Sequence, residues 1–160
     1  METVTDLIKQ ALRNEVHASA FFAKAAEMTK DDESRMLFLE LGGMEDNHAD
    51  TFVAKLKDST CGQDMDLPTY LKDLERSSEP VMSAQELATI ENGDARTVLR
   101  LAIDLETKAG QTYAKLADEI VDMEVKAYCL DLVRQENVHA AALTKHLRSL
   151  DMDEEDRPGL

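Results

Sequence analysis

The sequence predicts an all-α fold, a four-helix bundle with one long crossover between the second and third helices and short helices inside that crossover. Three observations predict it. Four segments of about 25 residues carry apolar side chains at helical spacing. Between the second and third of them lies a linker of about 35 residues that holds strong helix breakers. Six residues also form a repeated pattern: Glu15 is followed thirty positions later by Glu45 with His48 three further on, and Glu106 is followed thirty positions later by Glu136 with His139. The chain has 160 residues, 43% of them apolar, with three prolines and six glycines. That length suffices for one core, so residues 1–150 read as a single domain and 151–160 as an acidic flexible tail.

The first long helix is expected from about Thr5 to Met28, with Ile8, Leu12, Ala18, Phe22 and Ala25 sharing a stripe with Glu15. The charged stretch Thr29-Lys30-Asp31-Asp32 interrupts that stripe and marks a turn. The second long helix follows from about Asp32 to Lys57, its stripe of Leu37, Phe38, Leu41, Phe52 and Leu56 including Glu45 and His48. In the linker, Cys61-Gly62 precede Leu67-Pro68, which open a short helix to about Arg76, and Ser77-Ser78-Glu79-Pro80 break it. Ser83 with Glu86 three later forms a capping box for a second short helix to about Glu91, stopped by Asn92-Gly93. Asp94 caps the third long helix, which runs to about Ile120 with Leu99, Ile103, Ala109, Tyr113 and Leu116 around Glu106. The fourth covers about Met123 to Leu150, with Cys129, Leu132, Val133, Leu143 and Leu147 around Glu136 and His139, and Pro158-Gly159 close the chain.

Helix geometry gives the six-residue pattern its meaning. Residues three apart lie within about 60° on one helical face, so Glu45/His48 and Glu136/His139 can each present a carboxylate and a ring nitrogen to one point. Glu15 and Glu45 are each about 15 residues from the turn between their helices, roughly 22 Å along each arm, so they return to the same height. The same holds for Glu106 and Glu136 about a bend near Val121 and Asp122. All six side chains can therefore lie in one slab. Burying an ionised carboxylate costs several kcal/mol, and four without partners would consume the roughly 5–15 kcal/mol that stabilises a whole domain. Two divalent cations would offset four carboxylates and leave two neutral imidazoles as further ligands. A lone Glu-x-x-His is a weak signal, whereas two with matching upstream glutamates point to a paired-metal centre.

Residues 15–56 and 106–147 align at an offset of 91, which also pairs Ala18 with Ala109, Phe22 with Tyr113, Lys24 with Lys115, Leu41 with Leu132 and Ala49 with Ala140. The two helix pairs read as copies of one hairpin. A pseudo-twofold axis between them would give each ion one Glu-x-x-His pair, with Glu15 and Glu106 left to bridge or chelate. Tyr113 lies on the face of Glu106 and could donate a hydrogen bond to a ligand or to bound oxygen, a catalytic role its mate Phe22 lacks the hydroxyl to fill. Asp46 and Asn137 could orient the histidines. His17 is expected at the surface, and His146 as a hydrogen-bonded core histidine rather than a further ligand.

The net charge of −15 makes direct nucleic-acid binding unexpected and suits a solvated acidic surface. The two cysteines, Cys61 and Cys129, form no Cys-x-x-Cys pair, and Cys129 is expected to pack as a small apolar group. No apolar run approaches a membrane span, and the acidic amino terminus is unlike a secretion signal, so the expected location is cytoplasmic. Oxygen ligands with two imidazoles suit iron or manganese, and zinc can substitute.

The segments Glu15-Val16-His17-Ala18-Ser19-Ala20-Phe21-Phe22, Leu39-Glu40-Leu41-Gly42-Gly43-Met44-Glu45-Asp46-Asn47-His48, Leu101-Ala102-Ile103-Asp104-Leu105-Glu106 and Glu136-Asn137-Val138-His139 resemble the rubrerythrin-like branch of the ferritin-like superfamily over roughly residues 5–150. The resemblance implies two iron ions held by Glu15, Glu45, His48, Glu106, Glu136 and His139, reaction with hydrogen peroxide or dioxygen, and often a homodimer. Rubrerythrins also carry a rubredoxin module with four cysteine ligands, which is missing here and implies an external electron-donor protein. Their extra glutamate on the third long helix corresponds to Ile103 in this chain, so that ligand does not carry over. The alternative reading is a ferroxidase or iron-storage protein.

Overall fold

A computed structural model describes residues 2–59, 66–76 and 82–155, and every regular element among them is helical. Six helices occur in the order α1 (Val4–Met28), α2 (Asp32–Lys57), α3 (Leu67–Arg76), α4 (Ala84–Asn92), α5 (Ala95–Glu119) and α6 (Met123–Glu155). The expectations placed on Cys61-Gly62, Ser77-Ser78-Glu79-Pro80 and Pro158-Gly159 lie outside the described residues. No described helix is long and apolar enough to cross a membrane.

Local chemistry sets the helix ends. Thr3 and Asp6 form a capping box, so α1 starts at Val4, one residue earlier than the periodicity indicates. The Asp31 carboxylate accepts from the Ser34 amide, and that of Asp94 from the Arg96 amide, which satisfies orphan donors at the starts of α2 and α5. The box of Ser83 and Glu86 opens α4 as expected. Gly93 ends it, because any Cβ there would run into the Thr89 carbonyl oxygen. The last helix continues five residues past Leu150: Arg96 Nε donates to Asp151 Oδ1 at 2.6 Å, and its guanidinium also reaches the Leu150 carbonyl.

α1 packs on α2 and α5, α5 on α6, and α2 on α6. Two apolar plugs show how the helices run. One joins the start of α1 (Ile8, Leu12), the end of α2 (Phe52, Leu56), the end of α5 (Tyr113, Leu116) and the start of α6 (Cys129, Leu132). The other joins the end of α1 (Phe22, Ala25), the start of α2 (Phe38, Leu41), the start of α5 (Leu99, Ala102) and Leu143 late in α6. Neighbouring helices are thus antiparallel, and α2 finishes at the end of the bundle opposite to where α5 begins. The crossover must travel the full length. α3 adds Leu67, Tyr70, Leu71 and Leu74 to the first plug, and α4 adds Ile90 to the second.

Candidate metal centre

Between the two plugs the bundle interior turns polar. Glu15 on α1, Glu45 and His48 on α2, Glu106 on α5, and Glu136 and His139 on α6 are all buried, none more than 6% exposed. The structure brings together all six side chains that the spacing singles out. His48 Nδ1 lies 3.1 Å from Glu136 Oε1, 3.5 Å from Glu45 Oε2 and 4.0 Å from Glu15 Oε2. His139 Nδ1 lies 3.4 Å from Glu45 Oε1, 3.4 Å from Glu106 Oε2 and 3.9 Å from Glu136 Oε2. The two imidazoles stack, with centroids 5.7 Å apart and planes 6° from parallel.

Two overlapping groups could each hold an ion: Glu15, Glu45, His48 and Glu136 in one, and Glu45, Glu106, Glu136 and His139 in the other, with ligand atoms within 4.8 Å of one another. Sharing therefore falls to Glu45 and Glu136. Glu15 and Glu106 belong to one group each, which fits the expectation that they chelate one ion rather than bridge two.

The fit to cations is legible in the unpaired atoms. Among the described residues, nine buried side-chain nitrogen and oxygen atoms have no hydrogen-bond partner, and every one belongs to these six residues. Native interiors leave such atoms unsatisfied only rarely, and divalent cations are the partners that seven carboxylate oxygens and two Nδ1 atoms can share. In the metal-free protein, protons take that place. Burial, reinforced by Glu45 and Glu136, pushes Glu15 well above the usual carboxylate range, and burial with Glu136 and Glu45 does the same to Glu106. Glu45, which burial would raise, is instead held down by Glu15, His139 and His48. Burial opposes a charge on His48, yet Glu136 and Glu45 lift it to about 10.

Tyr113, fully buried, donates its hydroxyl to Glu15 Oε1. Burial, with Glu15 beside it, pushes that phenol well above its usual value. Its repeat mate Phe22 is buried in the other plug.

The expected outer partners are corrected. Asp46 is exposed and accepts from Ser19 Oγ at 2.5 Å, and Asn137 is also exposed; among the described residues neither bonds a histidine. The residue that does is Gln135, whose Oε1 lies 2.7 Å from His48 Nε2 while its Nε2 donates to Asp131 Oδ2 at 2.7 Å. Gln135 sits next to Glu136, but its role depends on α2 facing α6, which no pattern within α6 discloses. His17 is half-buried rather than on the open surface, because α4 crosses it and Glu86 Oε2 lies 2.7 Å from its Nε2. His146 bonds Ser34 Oγ at 2.7 Å and takes no part in either group. Cys129 is buried in the first plug, and Ile103 is half-buried.

A family model described as a ferritin-like domain matches residues 3–149 of this chain. No curated protein and no solved structure gives a significant match.

Proposed function

The chain belongs to the ferritin-like domain family, and from that premise we propose that it is a non-haem di-iron oxidoreductase reducing hydrogen peroxide or dioxygen, similar to the rubrerythrins. Electrons would come from a donor protein. The observation that carries this reading is the set of nine buried, unpartnered ligand atoms on Glu15, Glu45, His48, Glu106, Glu136 and His139. Four carboxylates with two imidazoles and no thiolate suit iron. Two iron(II) ions held side by side would supply together the two electrons that an O–O bond accepts.

The chain's own contribution is positional. Glu45 and Glu136 reach both groups and fix the spacing between them. Tyr113 is the catalytic residue in this reading: its hydroxyl orients Glu15 and, with its raised pKa, keeps a proton at that oxygen at neutral pH. The plugs above and below keep bulk water from the slab.

One observation favours iron handling as a second reading. A surface pocket of about 560 Å³ between α1 and α2 is lined by Glu15, Ser19, Asp46 and Asp50, which places acidic side chains beside a ligand. Anaerobic loading with iron(II), then stopped-flow mixing with peroxide and separately with oxygen, distinguishes the readings. Fast turnover with peroxide and an added reductant is expected. Oxidised iron accumulating beyond two ions per chain would replace this reading with the second, and a loaded protein inert to both oxidants would end both.

A further inference from the structure

The two halves of the site differ in what stands behind their ligands. In the Glu15/His48 half, Tyr113 donates to Glu15 and Gln135 faces His48. The direction of the second contact is fixed by chemistry. Asp131 Oδ2 can only accept, so Gln135 must turn its NH2 to Asp131 and its carbonyl to His48. His48 Nε2 must then carry hydrogen, and Nδ1, the atom among the carboxylates, is left with its lone pair free for a cation once the ring is neutral. Arg134 donates to the other oxygen of Asp131 at 3.1 Å and steadies the chain of contacts.

The Glu106/His139 half has none of this. At the offset of 91, Gln135 corresponds to Met44 and Tyr113 to Phe22. A thioether is at most a weak acceptor, and Met44 is 39% exposed. Both oxygens of Glu106 are without a partner, and among the described residues no side chain accepts from His139 Nε2.

We propose that Gln135 is a positioning residue that makes the two metal positions unequal, so that the ion on Glu15 and His48 is resident and the ion on Glu106 and His139 is the exchangeable one. This rests on the metal reading given above. Loss of an outer partner of a ligating histidine costs about 10–100-fold in affinity, which sets the size of the difference expected.

The test is cobalt(II) titration of the metal-free full chain, followed by visible absorption with a competing chelator, in variants that keep one half each. His139→Ala should bind one ion at least about tenfold more tightly than His48→Ala. Adding Gln135→Met, which copies Met44, should weaken binding by about 10–100-fold in the His139→Ala background and leave the His48→Ala background unchanged. Gln135→Glu combined with Asp131→Asn reverses the hydrogen bond between positions 131 and 135 while keeping an acceptor on His48, and should restore the affinity, an outcome that a merely structural role for Gln135 would not give. Equal affinities in the two single-histidine variants, or equal weakening of both by Gln135→Met, would overturn the proposal while leaving the metal reading intact. A wild-type chain that takes up no cobalt or iron would overturn both. Should Gln135→Met fold poorly, Asp131→Asn, at a half-exposed position, is expected to act in the same direction by freeing the amide to flip.

Discussion

At the scale of single residues, the six ligands are not equivalent. Glu45 and Glu136 belong to both groups, so Glu45→Ala or Glu136→Ala should weaken both positions at once, whereas Glu15→Ala should affect one. Metal content by elemental analysis after loading with two equivalents checks this; a Glu45→Ala protein that kept two tight ions would contradict the assignment. Glu106→Gln should separate stability from binding. Both of its oxygens lack partners and burial with Glu136 disfavours its charge, so the neutral amide should stabilise the metal-free protein by about 1–3 kcal/mol while lowering metal affinity. Denaturant melts of the metal-free forms read the first effect and chelator competition the second. All six of these side chains were legible in the sequence, because their register is internal to each helix and to each hairpin. Gln135 was not. Its neighbour Glu136 fixes its height, but only the approach of α2 gives it His48 to accept from, whereas Asp46, adjacent to a ligand in exactly the same way as Asn137, turns to Ser19.

At the scale of elements, the four long helices followed from periodicity and the two short ones from Pro68 and from the capping box of Ser83 and Glu86. Where the short helices dock could not be read, since nothing in α1 alone announces that α4 will cover His17. That contact ties the crossover to the bundle: Glu86 caps α4 with one oxygen and meets His17 with the other. The pair is only partly shielded, so His17→Ala should cost about 0.5–1 kcal/mol, or a few degrees in Tm for a domain of this size, with metal content unchanged. A double-mutant cycle with Glu86→Ala isolates the pair. Burial raises the Glu86 carboxyl but His17 and Ser83 bring it below its usual value of 4.5, so this contribution is present above that pH and fades as the pH falls through the lowered value.

At the scale of the whole molecule, protons and cations compete for one slab. Glu15 and Glu106 titrate above their ordinary range in the metal-free fold, so their protonated forms stabilise it below about pH 4.5 and that benefit is lost as the pH rises. His48 acts in the same direction, contributing fully below about pH 6.5 and losing its contribution through about 10. Glu45 is depressed, and its contribution is already complete across this window. The metal-free protein should therefore become less stable from pH 5 to pH 8, and metal affinity should rise over the same interval with release of protons. Thermal melts with and without zinc, and an indicator dye in weak buffer, read the two effects; metal uptake without proton release would contradict them. The same slab also joins two helices. α2 and α6 approach each other less closely than the other neighbouring long helices, and the stacked rings of His48 and His139 lie across that seam. Glu45 on α2 and Glu136 on α6 belong to both ligand groups, so a cation held there would clasp the two helices together where their own packing is sparsest.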